Sequence, residues 1–135
     1  KNKSIILVDD SLVRGTTCLK IVKMLYDAGV KEVHVRIACP EIRYPDFYGV
    51  DMPTKKELLA HGRSNEEMRN YINAKTLKFL SLSGLYKAIG FEERNKTYPQ
   101  LSDHYFTGEY PVKPTDLLGE GKITQLSLLS SKSNN

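Results

Sequence analysis

The stretch Ser4-Ile5-Ile6-Leu7-Val8-Asp9-Asp10-Ser11-Leu12-Val13-Arg14-Gly15-Thr16-Thr17 passes from an apolar run to an acidic pair and then to a polar, glycine-containing loop. Ile5 to Val8 is apolar at every position, the pattern of a parallel strand covered by helices on both faces. Asp9 and Asp10 then fall at the carboxyl edge of that strand, where open α/β sheets bind ligands. A helix is predicted from about Thr17 to Ala28, with Leu19, Val22, Leu25 and Tyr26 on one face and Gly29 as its stop. Glu32 to Ala38 alternates and places Val33, Val35 and Ile37 on one side of a second strand. Strand, loop, helix and strand in that order make a βαβ unit, normally parallel and right-handed. The fold class expected is therefore α/β, a parallel sheet with flanking helices.

Downstream, Pro40 to Pro53 carries three prolines, a glycine and the aromatics Tyr44, Phe47 and Tyr48. It reads as a long ordered loop, more scaffold than ligand shell, and loops of that length tend to serve function. Thr54 with Glu57, and Ser64 with Glu67, have the spacing of capping boxes. They open a short helix through Ala60 and a second one to about Ile72. Leu77 to Leu80 is a short strand and Ser83 to Ile89 a short helix ended by Gly90. Residues 1–90 read as the domain body and 91–118 as an extension packing on it, with Tyr98 to Tyr110 read as packing or subunit contact. From Gly119 to Asn135, Gly, Ser and Asn dominate, and the chain reads as a disordered tail.

The acidic pair and its loop carry the chemistry. The first backbone N–H groups of the helix point into the loop with the positive end of its dipole, a ready anion site. Gly15 lets backbone approach closely, while Ser11, Thr16 and Thr17 add hydroxyl donors. Asp9 and Asp10 can accept from sugar hydroxyls or bind Mg²⁺. A phosphorylated sugar presents both kinds of group. Arg14 either neutralises a phosphate or sits in solvent.

Composition narrows the alternatives. The 135 residues are 40% hydrophobic and 27% charged, a globular balance. A chain of this length buries roughly two thirds of its unfolded surface. Twenty Lys and Arg against sixteen Asp and Glu give a net charge of +4, scattered and not gathered into a patch, which argues against nucleic acid. Ile5 to Val8 falls far short of the roughly 20 apolar residues of a membrane helix. Cys18 and Cys39 form no Cys-x-x-Cys pair, and His34, His61 and His104 are isolated in sequence, so neither a disulfide framework nor a zinc site is expected. The expectation is a reduced, cytoplasmic protein. A strand beginning within three residues of Lys1 suggests a C-terminal piece of something longer.

The segment from Asp9 to Thr17 resembles the phosphoribosyl-diphosphate (PRPP) signature of type I phosphoribosyltransferases. Many members carry Thr-Gly-Gly-Thr after the acidic pair; here the chain reads Arg14-Gly15-Thr16-Thr17. That form is similar to the amidophosphoribosyltransferase family. So are Pro40-Glu41-Ile42-Arg43-Tyr44-Pro45, Tyr48-Gly49-Val50-Asp51-Met52-Pro53 and Glu57-Leu58-Leu59-Ala60-His61-Gly62-Arg63, and the resemblance spans about residues 3 to 111 in order and spacing.

The resemblance implies the C-terminal part of a Rossmann-like type I phosphoribosyltransferase domain. It implies that Asp9 and Asp10 hold the ribose hydroxyls and Mg²⁺ of PRPP, and that Ser11, Leu12, Val13, Arg14, Gly15, Thr16 and Thr17 cradle the 5′-phosphate. The family reaction displaces pyrophosphate by glutamine-derived ammonia, giving 5-phosphoribosylamine at the start of purine synthesis. No residue of this stretch is required as a proton-transfer catalyst. Further implied partners are a glutaminase domain on the same chain, absent from this stretch, a homo-oligomer and purine nucleotide inhibitors; alone, the stretch is expected to be inactive. Some members carry an iron–sulfur cluster on four cysteines. Here Asp46 and the Ser102 to Tyr105 region stand where those relatives have Cys, so the cluster-free branch is implied. The rival readings are a non-catalytic PRPP-sensing module of the same fold and, more remotely, a nucleobase transferase.

Overall fold

In the computed structural model, residues 1–49 and 54–112 are described. β1 (Ser4–Asp9), β2 (Glu32–Ile37) and β3 (Thr76–Phe79) form a parallel sheet in the order β1-β2-β3. Ile5 stands beside Val33 and Leu7 beside Val35, and Val35 stands beside Leu77 in turn. Neighbours in a parallel register share a face, so these residues make one apolar surface. α1 (Thr16–Asp27) and α2 (Asn65–Tyr71) cover it, with Cys18, Val22, Met68 and Ile72 joining Val33, Val35, Ile37 and Leu77 in one buried cluster. Full burial of each such Val, Leu or Ile is worth roughly 1.5–3 kcal/mol.

Within this stretch β1 is the outermost strand of the three, and on the other face of the sheet Ile6 and Val8 are 66% and 68% exposed. Beside them lies a polar set: His34 Nδ1 is 2.9 Å from Thr76 Oγ1, and Arg36 Nη1 donates to the same hydroxyl and to the Val35 carbonyl.

Both capping boxes form. Ser64 Oγ accepts from Glu67 N at 3.2 Å while Glu67 Oε2 accepts from Ser64 N at 2.7 Å. Glu57 Oε2 likewise accepts from Thr54 N and Oγ1. The helix expected through Ala60 is only a 3₁₀ turn, Lys55–Glu57, with Leu58 already extended. Leu58, Leu59 and Ala60 are all buried in succession, and three consecutive residues cannot share one helix face. Leu59 N turns away to donate to Val13 O at 2.8 Å.

α3 (Leu82–Ala88) carries Tyr86, fully buried beneath the extension that follows. α4 (His104–Thr107) closes that extension on the 40–49 loop. Arg43 N and Tyr44 N both donate to Tyr105 O, and Tyr110 donates its hydroxyl to Pro45 O. Tyr105 and Tyr110 lie against the 40–49 loop, whereas Tyr98 is 80% exposed. Asp51, Met52 and Pro53, and the 119–135 tail, lie outside the described residues. Among the described residues no helix is long and apolar enough to cross a membrane.

Candidate functional site

β1 delivers Asp9 to the carboxyl edge of the sheet, and Ala38 N donates to Asp9 O at 2.9 Å, continuing the ladder one step past β2. Asp10 N donates to Asp9 Oδ1 at 3.0 Å, and Ser11 Oγ donates to Asp10 Oδ1 at 3.1 Å. Each bond uses one oxygen of its carboxylate, and a carboxylate has two. The chain then dips inward: Leu12 is buried in the core and anchors the loop from below.

Gly15 is the N-cap of α1, with φ +77, and no side chain caps that end of the helix. The first intrahelical bond runs from Leu19 N to Gly15 O. The N–H groups of Thr16, Thr17 and Cys18 precede it and have no carbonyl within the helix to meet. Asp9, Asp10, Ser11, Leu12, Val13, Arg14, Gly15, Thr16 and Thr17, with Cys18, line one open cavity of about 330 Å³. All the residues singled out in the sequence therefore meet in one place.

Gly15 also has a packing reason. A Cβ there would stand 2.7 Å from Leu59 Cδ2 and 3.1 Å from Tyr71 Cε1. The glycine serves the left-handed backbone and close packing of the protein on itself. The 54–60 segment buttresses the loop through this contact and through the Leu59–Val13 bond.

Arg14 also has a partner that sequence spacing did not reveal. Its Nε and Nη2 both lie 3.3 Å from Glu57 Oε1, forty-three residues away. Bonds from the Thr54 hydroxyl and amide, helped by Arg14, hold the Glu57 carboxyl below the usual carboxylate range. Near the cavity, burial first and the Asp9 charge second push the Cys18 thiol up to about 11. Burial likewise raises Cys39. Both thiols are therefore protonated at neutral pH, which suits packing rather than nucleophilic chemistry.

His104 is isolated in sequence but not in space. It is buried, and its Nε2 lies 2.7 Å from Asp46 Oδ1, while Asp46 Oδ2 accepts from Tyr48 N at 3.0 Å. Its Nδ1 has no hydrogen-bond partner among the described residues. No group of three or more His, Cys, Asp or Glu able to hold a metal occurs among the described residues. Asp9 and Asp10 are a pair, so a metal there would take its remaining oxygens from ligand and water.

No family model matches the chain. An amidophosphoribosyltransferase of Rhizobium etli is 52% identical over 132 residues, which cover 97% of this chain and 27% of that protein. One from Staphylococcus aureus is 51% identical over 110 residues, 82% of this chain and 22% of its own length. Among solved structures, the glutamine PRPP amidotransferase of B. subtilis complexed with ADP and GMP superposes with a TM-score of 0.73 at 49% identity. The match covers 82% of this chain and 24% of that one. The structure of "the allosteric regulatory enzyme of purine biosynthesis" gives the same TM-score at 48% identity. In sequence and in fold the chain is a relative of the amidophosphoribosyltransferases, spanning about a quarter of their length.

Proposed function

We propose that this chain contributes the PRPP-binding part of an amidophosphoribosyltransferase, which transfers glutamine-derived ammonia to PRPP and releases pyrophosphate and 5-phosphoribosylamine. The observation that carries the reading is the single cavity in which an acidic pair faces uncapped amides at the start of α1. It occurs in a chain about half identical to enzymes of that name. In this reading the amides of Thr16, Thr17 and Cys18, the hydroxyls of Ser11, Thr16 and Thr17 and the guanidinium of Arg14 take the 5′-phosphate. Asp9 and Asp10 accept from the ribose hydroxyls and hold Mg²⁺.

Two adjacent carboxylates, each with an oxygen to spare, beside a diphosphate suit that cation. When bound, it neutralises charge on the departing pyrophosphate. The residues of this chain fix the sugar at both ends, so that C1 is presented to ammonia from one side; such positioning supplies much of the barrier lowering in a displacement of this kind. No side chain here is assigned a proton transfer. A cytoplasmic location, a homo-oligomer and purine nucleotide control belong to the same reading and rest on likeness alone. With two cysteines, one in the core, the chain offers no four-thiolate cluster site.

The test is a titration of Mg-PRPP into the protein and into the Asp9→Asn/Asp10→Asn double variant, with ammonia and a pyrophosphate assay alongside. The wild type is expected to bind, and the double variant to bind at least tenfold more weakly, since it loses both charges that face the metal and the ribose. Equal binding by the two proteins removes the acidic pair from the site. Binding by the intact enzyme without pyrophosphate release would instead identify a sensing module.

A further inference from the structure

Among the described residues that line the cavity, Arg14 is the one cationic side chain, and it is held by a carboxylate that does not line the cavity. Glu57 is itself fixed. Its Oε2 accepts from Thr54 N at 2.9 Å and from Thr54 Oγ1 at 2.8 Å, leaving Oε1 for Arg14 at 3.3 Å. The turn that bears it is tied to the loop by the bond from Leu59 N to Val13 O and by Leu59 against Gly15. Following Arg14, should the guanidinium swing toward a ligand, would cost Glu57 both its bonds to Thr54. The side chains are 54% and 48% exposed, and pairs so exposed contribute little to stability. Their effect on an anion bound nearby is another matter, because the carboxylate and the anion contend for the same guanidinium.

We propose that Glu57 is a positioning residue of the anion loop: it competes with the bound phosphate for Arg14 and thereby holds down the affinity of the site. This rests on the reading of the loop as a sugar-phosphate site. It assigns Glu57 to control of ligand release, in a segment that sequence and contacts otherwise present as a simple capped turn.

Glu57→Gln separates the two roles. Glutamine keeps the side-chain acceptor of a capping box and so preserves the turn, but its neutral amide cannot hold Arg14 as an ion pair. Mg-PRPP is titrated into wild type, E57Q, R14M and the double variant, at low salt and at about 0.5 M salt, where exposed charges are screened within a few ångströms. E57Q is expected to bind about two- to fivefold more tightly than wild type at low salt, the size expected for one exposed charge pair. The gain should shrink at high salt and vanish in the R14M background. Unchanged or weaker binding by E57Q, with its thermal midpoint retained, overturns the proposal and leaves the phosphate reading standing. So does an equal gain in the R14M background, which would make the effect one of overall charge. A wild type that binds no Mg-PRPP overturns the phosphate reading and this inference with it.

Discussion

Replacing Gly15 by alanine is expected to destabilise the protein by about 2–5 kcal/mol and to disable the anion loop. Two costs add. At φ +77 an L-residue with a Cβ bears about 1–2 kcal/mol of left-handed strain. The new methyl would also stand 2.7 Å from Leu59 Cδ2, and Leu59 is 2% exposed, so its end cannot swing aside without moving the core. Overpacking of that kind typically costs about 1–3 kcal/mol. Urea unfolding of wild type, G15A, L59A and G15A/L59A resolves the two terms. In the L59A background the closest clash is gone, and adding G15A should cost the strain plus only the milder 3.1 Å approach to Tyr71 Cε1. A full cost retained in that background would mean that Leu59 is not the obstacle. Because Leu59 N also donates to Val13 O, pushing Leu59 back drags the loop, and G15A is expected to lose Mg-PRPP binding beyond what its stability loss explains.

Asp103→Asn is expected to cost about 3 kcal/mol and to lower the thermal midpoint by roughly 10–15 °C in a chain of this size. Asp103 is 2% exposed and sits between three elements. It accepts from Tyr86 Oη at 2.9 Å and from Arg94 Nη2 at 3.2 Å, and Arg94 Nε also donates to it. Removing one partner of a buried pair costs about 3–5 kcal/mol because the other charge is left uncompensated. The lower end applies here, since Arg94 retains Glu109 at 2.6 Å.

The same network sets a pH dependence. Burial pushes the Asp103 carboxyl up, but the bonds from Arg94 and Tyr86 outweigh it, and the net shift is downward. A carboxylate with a depressed folded value is protonated first in the unfolded chain, near pH 3.9. Its stabilisation is therefore fully present above about pH 4 and lost as pH falls through the folded value. Thermal unfolding of both proteins from pH 7 downward should show their gap constant to about pH 4 and closing below it. A gap already closing at pH 6 would show that another group dominates.

Much of the site was legible because its signal is local. An apolar run, two acids, a glycine at a helix start and the first turn of α1 are contiguous, and contiguous residues at the end of a parallel strand have little freedom to separate. The capping boxes at Thr54 and Ser64 were legible for the same reason, since each closes within three residues. Arg14–Glu57 and Asp46–His104 were not. Their partners are 43 and 58 residues apart, and no spacing rule links residues brought together by strand crossovers. Tyr48, Tyr105 and Tyr110 surround the second pair with ring centroids 4.0 to 5.3 Å from the histidine, which makes His104 a pin between the 40–49 loop and α4.

From the order of residues alone come the βαβ unit, the strand that ends in Asp9, the glycine-containing loop that leads into a helix and the expectation that both serve a sugar phosphate. These depend on hydrophobic period and local backbone preference, which a chain carries with it wherever it folds. Tertiary structure decided that Gly15 packs against Leu59, and that Arg14 is shared with Glu57. Those outcomes depend on which surfaces meet, and contacts across 40 or more residues are set by the burial of the whole core rather than by any neighbour in the chain.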